Sequence, residues 1–226
     1  MQIVIALFDR FAALDVVGPQ HVLTQLPGAE VIVAADRARS VRDVSGTLTL
    51  VAQAGYADVP SPDVILIPGG LGQADHMTPG PLQDWLLAAD RTTTWTTSVC
   101  TGSLILAAAG LLDGRAATTH WLAMDELARL GATPRHERYV FDGKYATAAG
   151  VSAGIDLALE LSARIAGERT AMEIQLGIEY APDPPYQAGS PVTAPPEIVA
   201  ALRAASRFPA AAGPTDGLAR NSTQSR

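Results

Sequence analysis

Three short runs of apolar, β-branched residues limit what this chain can fold into: Gln2 to Phe8 (QIVIALF), Ala29 to Ala35 (AEVIVAA) and Asp63 to Ile67 (DVILI). None alternates polar with apolar, so each reads as a strand buried on both faces, as in a parallel sheet. Helical stretches separate them, one from Leu14 to about Leu26 and another from Pro81 to Asp90, with Leu82, Trp85, Leu86 and Ala89 on one face. Strands that alternate with helices imply a flavodoxin-like three-layer α/β sandwich, its mainly parallel sheet covered by helices on both faces. In such a sheet ligands bind at the carboxyl ends of the strands, so chemistry is to be sought just after each strand.

The strand expected over Thr92 to Val99 ends in Cys100-Thr101-Gly102-Ser103 and passes at once into an alanine-leucine helix, Leu104 to Leu112. A strand that turns into a helix through small residues holds its corner side chain in a tight, strained conformation at the helix N-terminus. Here that residue is Cys100, the one cysteine of the chain. The pattern Ser98-x-Cys100-x-Gly102 approximates the nucleophile elbow G-x-S-x-G, with cysteine for serine and Ser98 for the first glycine. Unpaired N–H groups and the positive helix end are expected to favour the thiolate. A lone cysteine is otherwise a small buried hydrophobe; the strand-elbow-helix context favours the reactive reading.

Three further positions fall at strand ends. Asp15, in Leu14-Asp15-Val16-Val17-Gly18-Pro19, lies where the first strand hands over to the first helix, with Pro19 expected in the first turn. It reads as a helix cap, a site carboxylate, or both. The corner Pro68-Gly69-Gly70-Leu71-Gly72 can bring backbone N–H groups close to a phosphate or an oxyanion, or simply make a tight turn. Its spacing is not G-x-G-x-x-G and no helix is expected to follow immediately. Paired with a cysteine elbow, it favours an oxyanion hole with Gly70 as a donor. His120 ends the short strand in Arg115 to Trp121, which runs into a helix ending near Gly131; it reads as a structural hydrogen-bonder or a pocket residue.

Val41 to Val44 with Thr47 to Val51 read as a small hairpin or an edge extension, and Arg138 to Phe141 with Lys144 to Ala148 as a hairpin around Asp142-Gly143. Val151 to Ala166 and Glu168 to Tyr180 read as helices. An α/β domain over residues 1–180 is therefore followed by a Pro/Ala-rich extension over 181–226, with a short helix near 197–207 and a disordered end. The net charge of -7 argues against nucleic acid and anionic membrane surfaces as partners. No apolar run reaches about 18 residues, so no transmembrane helix is expected. A single cysteine and an N-terminus interrupted by Asp9 and Arg10 point to the cytoplasm. His21, His76, His120 and His136 show no metal-ligand spacing, so no metal site is expected.

With the cysteine elbow, the Pro68-Gly69-Gly70 corner and Asp15, residues 1–180 resemble the ThiJ/PfpI superfamily, the class I glutamine-amidotransferase-like proteins. Ala13 to Pro19, Ser98 to Gly102 and Leu111 to Trp121 most resemble the isonitrile hydratase branch. The protease-like members carry a histidine directly after the nucleophilic cysteine; here Thr101 stands there, so a Cys-His proteolytic pair is not supported. The wording Cys-Thr-Gly and Thr-Thr-His-Trp also occurs in the sensing domains of AraC-type regulators, but the proline-broken stretch after Tyr180 is not expected to hold a helix-turn-helix domain.

The resemblance implies hydration of an isonitrile to the N-formamide, with Cys100 as nucleophile, Asp15 as acid/base and Thr101 beside them, Gly70 and His120 lining the site. It implies no metal or organic cofactor, a small-molecule substrate and a homodimer. Two other activities fit the same fold: an oxidation or small-molecule sensor built on Cys100, and a glyoxalase or deglycase.

Overall fold

The computed structural model describes residues 1–208. In chain order its elements are β1 (Gln2–Ala6), α1 (Ala13–Leu23), β2 (Glu30–Ala35), β3 (Arg39–Arg42), β4 (Thr49–Ala52), β5 (Ala54–Gly55), β6 (Val64–Ile67), α2 (Pro81–Asp90) and β7 (Trp95–Val99). There follow α3 (Gly102–Ala108), β8 (Ala116–Ala117), α4 (Met124–Arg129), β9 (Thr133–Pro134), β10 (Tyr139–Asp142), β11 (Tyr145–Ala148), α5 (Ala153–Ala166), α6 (Glu168–Gly177) and α7 (Pro196–Ala204).

One sheet of order β10-β11-β7-β6-β1-β2-β5 forms the centre. Every pairing in it is parallel except that of β10 with β11. The apolar runs account for this: Ile3, Val4 and Ile5 of β1 and Ile65, Leu66 and Ile67 of β6 are all buried, so both faces of the central strands need cover. The connection from β1 through α1 steps to β2, and that from β6 through α2 steps the opposite way to β7. With right-handed crossovers, α1 lies on one face and α2 with α3 on the other. α5 follows β11 and packs on α1, completing that layer. β3 and β4 form a hairpin, and β10 with β11 the second one.

Several local expectations are corrected. The strand before the elbow begins at Trp95, not Thr92, because the Thr92 amide and hydroxyl both donate to the Ala89 carbonyl and so close α2. The helix after the elbow ends at Ala108, and Gly110 turns the chain away at φ 76°. α1 stops at Leu23, and Pro19 is its seventh residue rather than part of its first turn. Lacking an N–H, Pro19 leaves the Asp15 carbonyl without its partner four residues on. Tertiary packing offsets that loss: Gly18 sits against Ile155 and Pro19 against Gly154, which brings α1 close to α5. A 3-10 turn, Leu71–His76, does follow the glycine corner at once. α7 occupies the stretch expected to be helical near residue 197, and the expected disordered end falls on residues 209–226, outside those described.

Candidate active site

The sheet order reverses between β1 and β6, and at such a switch point the outgoing connections part and leave a crevice at the strands' carboxyl ends. The chain following β1 carries Asp15, the chain following β6 carries Gly69 and Gly70, and β7, next in the sheet, delivers Cys100.

Cys100 stands at φ 57°, a left-handed conformation that costs a non-glycine residue about 1–3 kcal/mol. Its peptide groups are held from both sides. The Cys100 N–H donates to the carbonyls of Ala148 and Ala149, at 3.1 and 2.8 Å. Its carbonyl accepts from the hydroxyls of Thr119, at 3.0 Å, and Ser103, at 3.2 Å. Backbone carbonyls of one segment and hydroxyls of two others therefore fix the elbow.

Asp15 is fully buried in the first turn of α1. It does not cap that helix: Ala12 occupies the cap position and no side chain bonds there. Asp15 Oδ2 instead accepts from the Gly69 amide at 2.8 Å. A Cβ added to Gly69 would fall 2.6 Å from the Thr101 amide nitrogen, so only glycine lets these strands' loops close together. Asp15 Oδ1 is buried with no hydrogen bond of ordinary geometry, while the Cys100 thiol acts on the carboxylate as a weak S–H donor. Burial pushes the Asp15 carboxyl up to about 7, against the pull of the Gly69 amide and the thiol.

The expectation of a resting thiolate is corrected. Burial, and after it the Asp15 carboxylate, push the Cys100 thiol up to about 12; the amides of Val151 and Thr101 and the Thr101 hydroxyl pull it down but do not win. Above pH 7 the resting pair is thus a thiol facing a carboxylate. The carboxylate can take the thiol proton as the sulfur attacks.

Thr101 is brought to this pair as anticipated, its Oγ1 accepting from the Gly70 amide at 3.1 Å. That bond engages the Gly70 N–H in the resting geometry, while the amides acting on the sulfur are those of Thr101 and Val151. His120 heads the 3-10 turn Trp121–Ala123, where its Nδ1 accepts from the Leu122 amide at 3.4 Å and its ring packs against Gly150. Burial holds its pKa below the usual value, so the ring stays neutral near pH 7. Sequence reasoning passed over Gly69, Thr119 and Val151. The first two stood inside motifs already singled out; Val151 acts through its backbone, which leaves no mark in the sequence.

A cavity of about 520 Å³ is lined by neighbours of the pair: Leu14, next to Asp15, and Thr119 and Val151, which act on Cys100. Leu14, Trp121, Met124 and Val151 give it apolar walls, while Thr119, His120, His136, Glu137 and Arg138 make another part of its lining polar. Among the described residues, no three His, Cys, Asp or Glu side chains are grouped to hold a metal, and no helix is long and apolar enough to cross a membrane.

A doubly wound α/β domain with a cysteine elbow and a buried carboxyl partner defines a class of protein. The DJ-1/PfpI family profile matches residues 1–164, and the chain belongs to that family. It is 43% identical over 199 residues to isonitrile hydratase from Pseudomonas putida, a match spanning 88% of this chain and 87% of that one. The crystal structure of a ThiJ/PfpI family protein from Pseudomonas syringae superposes with a TM-score of 0.87 at 35% identity, covering 90% of this chain and 85% of the other. The HTH-type transcriptional regulator CdhR from Pseudomonas aeruginosa is 38% identical over 116 residues, half of this chain and 34% of the regulator. Drosophila melanogaster DJ-1beta, at 20% identity and a TM-score of 0.73, shares the fold.

Proposed function

We propose that this protein hydrates isonitriles to N-formamides, with Cys100 as nucleophile and Asp15 as proton carrier. The observation that carries this reading is a fully buried carboxyl, pushed up to about 7, in direct interaction with the buried thiol of the elbow. Similarity to the Pseudomonas putida isonitrile hydratase over most of both chains supplies the substrate class.

The terminal carbon of R–N≡C accepts a soft sulfur nucleophile. As the Cys100 sulfur bonds to that carbon, the thiol proton passes to the Asp15 carboxylate and then to the same carbon, giving the thioimidate R–N=CH–S–Cys. Water adds to this carbon while Asp15 takes one water proton and returns it to nitrogen, giving R–NH–CH(OH)–S–Cys. The C–S bond then breaks, the hydroxyl proton returns through Asp15 to sulfur, and R–NH–CHO leaves. A carboxyl titrating near neutrality suits both directions of transfer, since it neither holds nor refuses the proton strongly. The apolar walls fit a hydrocarbon R group.

Purified protein is mixed with an alkyl or aryl isonitrile and formamide is followed beside Cys100→Ala. Turnover that vanishes in the variant is expected. Folded wild type without turnover would overturn the substrate class, and residual activity above a few per cent in Cys100→Ala would overturn the covalent route.

A further inference from the structure

α7 buries none of its residues, yet the chain around it is tied to the domain at the nucleophile corner. The Arg203 guanidinium lies 5.1 Å from the centre of the Trp121 ring, on the cavity wall. Just after the helix, Arg207 donates from Nη1 to the Leu71 carbonyl at 2.9 Å and from Nη2 to the Gly70 carbonyl at 3.1 Å and to Gln73 Oε1 at 2.8 Å. Phe208 packs against the hydrophobic core beside it. A planar guanidinium suits such a cluster of acceptors, where a single ammonium does not.

These acceptors belong to the corner that organises the site. Gly69 gives its amide to Asp15, Gly70 gives its amide to Thr101, and the next carbonyls along are those gripped by Arg207. We propose that Arg207 is a positioning residue: it clamps the Gly70-Leu71 corner against the elbow and keeps a positive charge beside the nucleophile.

The charged and titratable groups acting on the guanidinium are Cys100, Arg10 and Asp75, and Asp15 in turn acts on Cys100. Arg10 and Asp75 pair with each other at 2.6 Å and act on Arg207 in opposite senses. Arg207 as a residue is exposed, so solvent screens its effect and a modest shift is expected.

The proposal needs Cys100 to be reactive but does not depend on the substrate, and its test needs no isonitrile. The rate of Cys100 alkylation by iodoacetamide is measured against pH for wild type, Arg207→Gln and Arg207→Lys as full chains. For Arg207→Gln the rate should fall about threefold throughout pH 7–9, as a thiol titration displaced upward by about half a pH unit requires. Arg207→Lys, which keeps the charge but not the planar fork, should restore part of that rate. An Arg207→Gln profile that superimposes on wild type overturns the proposal, and so does an Arg207→Lys rate as low as that of Arg207→Gln.

Discussion

Ser98, two residues before the nucleophile, shows how the elbow is built at the scale of single side chains. Its hydroxyl is buried without a hydrogen-bond partner, although the threonines before it are satisfied: Thr97 donates to the Ile65 carbonyl at 2.8 Å and Thr96 to Asp90 Oδ1 at 2.6 Å. An unpaired buried hydroxyl costs about 1–3 kcal/mol. Ser98→Ala removes that oxygen and keeps the Cβ, so it should stabilise the protein by about 1 kcal/mol, read as a higher urea midpoint at unchanged slope. A lower midpoint would show that the hydroxyl makes a bond the resting structure does not record. At this scale the sequence was legible in part. Cys100, Asp15 and Thr101 announced themselves by their places after strands. The thiol's protonation did not, because desolvation and the facing carboxylate come from a residue far away in the chain, and local helix electrostatics argued the opposite.

Among the elements, the decisive contact is between the start of α3 and the end of β6. A Cβ on Gly102 would lie 2.1 Å from the Ile67 carbonyl oxygen and 2.8 Å from that of Pro68, both rigid backbone. Gly102→Ala must therefore push α3 off the sheet and carry Cys100 with it. A loss of about 3 kcal/mol or more is expected, with Cys100 alkylation disturbed as well. Gly177, at the end of α6, has nothing within 4 Å of an added Cβ, and Gly177→Ala serves as the control expected to be neutral or slightly stabilising. Equal midpoints for the two variants would refute the close-packing account of the elbow glycine. The sequence disclosed the strands because apolar runs leave few alternatives, and it disclosed the elbow because small residues interrupt a strand-helix boundary. It misplaced the end of α1 because the packing of Gly18 and Pro19 on α5 outweighs the local rule that keeps proline in the first turn. Arg207 was invisible for a similar reason: its acceptors are carbonyls more than a hundred residues earlier, and no local pattern marks such a clamp.

For the whole molecule, a site assembled at the sheet's switch point burdens the fold with an acid it must bury. Unfolded, Asp15 titrates near 3.8; folded, it titrates near 7. Between those values the folded protein holds a proton that the unfolded chain has released. The stability contributed by protonated Asp15 is therefore complete below about pH 4 and lost as pH rises through about 7. A difference of that size amounts to a few kcal/mol. His76 and His120 work in the opposite sense: burial holds both below the ordinary histidine value, so folding gains as they lose their protons with rising pH. Wild type alone thus mixes two opposing trends, and the comparison with Asp15→Asn separates them. The amide can keep the Gly69 bond through its carbonyl oxygen and cannot ionise. Urea unfolding should find Asp15→Asn more stable than wild type at pH 8 by a few kcal/mol, with the gap closing toward pH 5. A gap of the same size at both pH values would mean that Asp15 is ionised throughout, and the carboxyl would then lack the proton that the proposed chemistry asks it to carry.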